Sequence, residues 1–151
     1  MASGQWSRRA QELCEWLRVA RSTGGGLVTV RLTSSEAYLL CHVRRSLVVG
    51  EAAGNVALGD AAWMEGEDVD RMVSLGWLPP GRDGVRWQRR WDFERFPDEV
   101  AEDVIEVLRV VYRGSPSCLV MECRGCGDAA CAIHSCDDRR SRRERAVVRL
   151  P

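Results

Sequence analysis

The chain has 151 residues, a length that builds one core rather than two. Apolar residues make up 45% and charged residues 29%, and 22 basic residues balance 22 acidic ones. That composition is enough to bury a real core, and zero formal charge excludes a strong global field steering the protein to nucleic acid or a membrane surface. Every basic residue is arginine, a bias that fits a GC-rich coding genome more simply than selection for guanidinium chemistry. No apolar run approaches the roughly 18 residues of a membrane helix. Met1 to Arg9 leads into a segment carrying Glu12, Glu15 and Arg18, so no secretory leader is expected. Seven cysteines without such a leader predict a reducing compartment, and hence a cytoplasmic protein.

In chain order, Gln5 to Arg21 places Trp6, Ala10, Leu13, Leu17 and Ala20 along one helical face, and Gly24-Gly25-Gly26 stops the helix. Leu27 to Leu32 alternates Val28, Val30 and Leu32 against Thr29 and Arg31, which predicts a strand. Ala37 to Val43 and Ser46 to Gly50 read as two more, joined across Arg44-Arg45, a pair poorly suited to a primed hairpin turn. Gly50 to Asp60 reads as a loop or an irregular edge strand. Glu67 to Leu75 predicts a short helix with Val69, Met72 and Val73 inward and Gly76 as its stop. The acids Glu65, Glu67, Asp68 and Asp70 read as its solvated start.

Pro79 to Gly84 is a turn. Trp87, Trp91 and Phe93 then share one face of a strand, with Arg89 interrupting that face. The clearest helix runs from Pro97 to Arg113, with acids at its start, arginines at its end and Val100, Val104, Val107, Leu108 and Val111 as its buried stripe. Ser117 to Glu122 predicts a last strand. The order of elements implies an α+β protein of two layers, an antiparallel sheet packed against helices. The expected division is an α+β domain over residues 1–120 and a Cys/Arg-rich tail over 121–151.

Leu75-Gly76-Trp77-Leu78-Pro79-Pro80, with Trp87 in the next strand and the helix from Pro97 to Tyr112, resembles the TY-Chap domain. That family is similar to type III secretion chaperones and YbjN-like proteins, and the resemblance covers roughly Leu27 to Leu119. It implies a secretion-chaperone-like α+β fold, often homodimeric, that binds peptide segments of partner proteins without enzymatic activity. Six tryptophans keep a contact role in view beside a structural one, and Trp77, Trp87 and Trp91 are the partner-binding candidates.

The tail carries Cys123, Cys126, Cys131 and Cys136 in the spacing Cys-x2-Cys-x4-Cys-x4-Cys, similar to a zinc knuckle, with His134 competing for the fourth position. Either set closes the coordination sphere, so a zinc here would be structural. Free thiols or disulfides in an unconstrained extension are the alternatives. The run Arg139 to Arg145 beside a metal knuckle would make nucleic acid a second choice of partner. Catalysis is the least supported class. His42 and Cys41 are neighbours in a strand and point to opposite faces, and the three glycines before the first strand lack the helix that a phosphate loop needs.

Overall fold

Alternating burial along the strands decides the architecture of this protein. The computed structural model describes residues 2–59, 63–92 and 96–125. Helix α1 (Ala2–Ser22) is followed by β1 (Gly26–Leu32), β2 (Tyr38–Val43) and β3 (Leu47–Ala53). Then come a single turn α2 (Asn55–Leu58), α3 (Gly66–Ser74), β4 (Arg86–Asp92), α4 (Asp98–Glu106) and β5 (Leu119–Arg124). The strands form one antiparallel sheet in the order β4-β3-β2-β1-β5. The two-layer α+β class read from the sequence is the observed one.

Val28, Val30 and Leu32 of β1, Leu39, Cys41 and Val43 of β2, and Val48 and Ala52 of β3 are buried on one face. Leu119 and Met121 of β5 and Trp87 and Trp91 of β4 complete it. Over this face lie α1, through Leu13, Trp16, Leu17 and Ala20, and α4, through Val100, Ala101 and Val104. The α4 axis continues as a π-helical turn over Val107–Val111, in which Val107, Leu108 and Val111 all stay buried. The stripe predicted for this helix is therefore intact, although its last turn is wider than an α-helix.

Three tryptophans and an arginine lock β4 into the core. The rings of Trp77 and Trp91 meet edge to face, centroids 5.6 Å apart at 86°. Arg89, on the same face of β4, ion-pairs through Nη1 with Asp103 Oδ2 of α4 at 2.9 Å and also donates to the Leu75 carbonyl. Trp91 Nε1 donates to the same Asp103 oxygen at 2.8 Å, and the Arg89 guanidinium stands 5.0 Å from the Trp91 ring centroid. The arginine that breaks the apolar face of β4 in the sequence is thus fully engaged inside.

Several expectations are corrected. Gly50 to Ala53 is the second half of β3, an inner strand, and not a loop or an edge; its register sets Gly50 opposite Arg89 and Ala52 opposite Trp87. The β2–β3 turn centres on Arg45-Ser46, one residue later than expected, since Arg44 N–H donates to the Leu47 carbonyl. Neither residue has a positive φ; among the described residues only Arg113 does so without being glycine, so the turn is not a primed one. Val73 is half exposed, and its place inside α3 goes to Asp68. Asp68 is no part of a solvated start: it accepts from Glu65 N–H in a capping box and from Arg113 Nη2 at 3.1 Å, which ties the start of α3 to the end of the α4 axis. Gly76, at φ +90, ends α3 as predicted. Strand β5 runs to Arg124, so the α+β unit extends beyond residue 120. Phe93 lies outside the described residues.

A Cβ added to Gly50 would meet Trp91 Cζ3 at 2.5 Å and Trp77 Cη2 at 3.0 Å, both parts of packed rings. Gly50→Ala is therefore expected to lower stability by about 1–3 kcal/mol, the usual cost of overpacking a core, as read from the urea midpoint at unchanged m-value.

Candidate functional site

Among the described residues, no helix packs over the other face of the sheet as α1 and α4 do over the first. The side chains of that other face are partly open along β1, β2 and β5 and along β3 up to Glu51, while Ala53 is buried. The register arranges them in rows across the sheet. One row reads Arg124, Leu27, His42, Val49 and Arg90 from β5 to β4. The next reads Glu122, Thr29, Leu40, Glu51 and Gln88; beyond it Val120, Arg31 and Tyr38 stand in line across β5, β1 and β2, and Ala53 faces Arg86 across β3 and β4. Leu27 and Val49 stand directly across from His42 and Leu40 lies two residues along the same strand, a small apolar centre on a pleated surface.

Two arginines of this face meet carboxylates of neighbouring strands. Arg86 Nη1 donates to Glu51 Oε2 at 2.9 Å, and His42 Nε2 stands 3.6 Å from the same oxygen. Arg31 Nη2 lies 3.9 Å from Glu122 Oε1. These contacts fix side chains that would otherwise sweep over the apolar centre, though at half-exposed positions such pairs contribute little stability.

Nothing in this geometry activates a nucleophile. Cys41 projects into the core, opposite to His42, and burial pushes its thiol up from 9.0 to about 12. Burial, and then the hydrogen bond to Asp98, push the Cys14 thiol up to about 11. Both stay protonated at neutral pH, whereas catalysis by cysteine needs the thiolate. Among the described residues no three His, Cys, Asp or Glu side chains group to hold a metal, and no helix is long and apolar enough to cross a membrane.

An open-faced antiparallel sheet with α1 at its back matches one family over residues 2–124, described as T3SS (YopN, CesT) and YbjN peptide-binding chaperone 3, or TY-Chap3. The chain belongs to that family. The match takes in every element from α1 to β5, a longer stretch than the one whose residues carry the resemblance in the sequence. No curated protein and no solved structure is matched by the chain.

In this TY-Chap3 chain the tryptophans named as partner contacts lie inside: Trp77, Trp87 and Trp91 are 2%, 3% and 1% exposed. They join the layers and shape the sheet from behind. The solvent-facing tryptophan is Trp63, half exposed, and with Val56, Val73 and Leu78 it forms the set of exposed large apolar side chains among the described residues. Leu78 is fixed beside the β4 edge by a reciprocal pair of backbone hydrogen bonds with Gln88. Sequence reasoning missed the open face because its apolar residues are flanked in each strand by core residues, as Leu40 is by Leu39 and Cys41, and only strand register assembles them. Of the metal-ligand candidates, Cys126, Cys131, Cys136 and His134 lie outside the described residues, as does the run Arg139 to Arg145. Cys123, at the end of β5, is disulfide-bonded, a state in which its sulfur is not a thiolate ligand.

The raised thiols give a pH dependence with a definite sign. The native state keeps its Cys14 and Cys41 protons at pH values where the unfolded chain has lost them, so stability is fully present below about pH 9 and declines as pH rises through 9 to 11. Urea midpoints measured across that window should fall. In native protein near pH 8 a thiol reagent should label Cys118, which is partly exposed, well before Cys14 or Cys41. Equal labelling of all three would contradict the assignment.

Proposed function

We propose that this chain is a non-catalytic binding module that takes a segment of a partner protein on the open face of its sheet. The family is one of peptide-binding chaperones, which supports the class of ligand. The observation that carries the choice of surface is the one-sided layering: α1 and α4 cover one face, and the opposite face keeps Leu27, Leu40, Leu47, Val49 and Val120 partly accessible.

An apolar centre bordered by polar rows suits a partner side chain or two, with the surrounding charges excluding water around them. It is also modest enough to stay soluble when empty, since larger contiguous patches drive association. A peptide bound there needs no movement of the core, because the face is already formed.

Binding of fluorescein-labelled peptides, drawn as a panel of short extended sequences and read by fluorescence polarisation, tests the surface. Leu40→Asp and Val49→Asp are expected to weaken the peptides that bind by about tenfold or more, because each buries an unpaired carboxylate against the ligand. Val73→Asp, exposed on α3, is expected to leave them unchanged. Far-ultraviolet circular dichroism checks that each variant is folded. Loss with Val73→Asp and retention with both face variants would move the site away from the sheet.

A further inference from the structure

We propose that the bound segment crosses the strands of this face and sets two apolar side chains four residues apart, one on Leu40 and one on Leu78. This rests on the reading of the open face as the peptide-binding surface, and adds to it the spacing of the ligand. Leu78 lies outside the five strands, yet backbone pairing carries it onto the open face. Its N–H donates to the Gln88 carbonyl at 2.7 Å, and Gln88 N–H donates to the Leu78 carbonyl at 3.1 Å. Residues paired directly in an antiparallel ladder point to the same side. Gln88 is on the open side of β4, and Trp77, one residue before Leu78, turns inward to Trp91. Leu78 therefore continues a row that runs from Leu40 on β2 through Glu51 on β3 and Gln88 on β4.

Leu78 is 66% exposed, the most open of the large apolar side chains among the described residues. That exposure does not serve the addition of a strand. With both polar groups of Leu78 turned to Gln88, the groups facing outward belong to Trp77 and Pro79. Trp77 N–H is bonded to the Met72 carbonyl at 3.1 Å, and Pro79 has no N–H. A strand arriving from outside finds no free donor at either residue, which is one way that native sheets close an edge. What Leu78 offers is its side chain, on the face. Between the two leucines the row is polar: Glu51 Oε2 accepts from Arg86 Nη1 at 2.9 Å, and Gln88 is exposed. The two apolar positions are thus separate sites.

Geometry sets the spacing of the ligand. Leu40 and Leu78 are separated by three strand-to-strand steps, or about 14 Å at roughly 4.8 Å per step. In an extended segment residues i and i+4 are about 13 Å apart, at roughly 3.3 Å per residue, and point to the same side. Residues i and i+2 span only about 7 Å, and i and i+6 about 20 Å. The four-residue spacing is therefore the one that seats both side chains. Residue i+2, on the same side, meets Glu51 and Gln88, which suits a hydrogen-bonding side chain. Residues i+1 and i+3 point to solvent.

The experiment uses three labelled peptides of equal length and composition, with two leucines spaced two, four or six residues apart on a polar background. In a fourth peptide the second leucine of the four-residue pair is alanine. Each is titrated against the whole chain, against Leu78→Ala and against Leu40→Asp, with circular dichroism as the check of folding. The four-residue spacing is expected to bind the parent about tenfold more tightly than the other two spacings and the alanine peptide, the effect of burying one leucine. Leu78→Ala, which keeps the backbone bonds to Gln88, should erase that advantage. Equal affinity at all spacings, lost with Leu40→Asp and indifferent to Leu78→Ala, would overturn the second anchor while leaving the face as the binding surface. Binding that ignores Leu40→Asp would place the site elsewhere and overturn the inference as well. Self-association of the parent that Leu78→Ala abolishes, with no peptide bound, would assign the row to a second copy of the chain and overturn it too. No binding by any peptide, including those of the wider panel, would overturn the peptide-binding reading itself and this inference with it.

Discussion

The junction between β3, β4 and α4 is the constraint on which the remaining structure depends. Two indole rings meet over Gly50, and a guanidinium, largely buried beside them, is neutralised by Asp103 while donating to the Leu75 carbonyl. A guanidinium in an apolar layer is costly unless it is paired and hydrogen-bonded, so Arg89 admits few alternative positions for its partners. Those partners come from β4, from α4 and from the end of α3. One side chain therefore fixes α3 and α4 relative to the sheet, both on the same side.

The one-sided layering follows from that lock. With the tryptophans and Arg89 committed to one face of β4, the alternation of the strand sends Arg86, Gln88 and Arg90 to the other. The same parity carries Val28, Val30, Leu39 and Val48 to the helices, and leaves Leu27, Leu40 and Val49 on the open side. The open side is neither a second core nor a plain solvated surface. Its apolar residues are interspersed with polar and charged ones across the strands.

Local pattern was enough to read the strands β1 and β2, the stripe of α4 and the glycine that ends α3, because each obeys one period and stops at one residue. The second half of β3 was not readable in this way. Gly50, Ala52 and Ala53 carry little strand preference, and they are small because tryptophans from elsewhere in the chain occupy the space in front of them. Asp68 was misplaced for a similar reason: its partner, Arg113, is 45 residues away. Six tryptophans leave a contact role beside a structural one in the sequence, because the bulk that favours interfaces also favours a core, and Trp77, Trp87 and Trp91 are buried. The family was legible from a short motif, whereas the surface proposed for binding depends on register across five strands, which no single segment displays.

The central claim, that the open face is the working surface, is tested most directly by methyl nuclear magnetic resonance of the isotope-labelled chain during titration with a bound peptide. Leucine and valine methyl groups sample both faces of the same strands, so neighbours in sequence serve as controls for one another. The account predicts shifts concentrated in Leu27, Leu40, Leu47, Val49 and Val120, with Val28, Val30, Leu39, Val48 and the α4 valines unmoved. Shifts confined to α1 and α4, or to Val56, Val73 and Leu78, would contradict it.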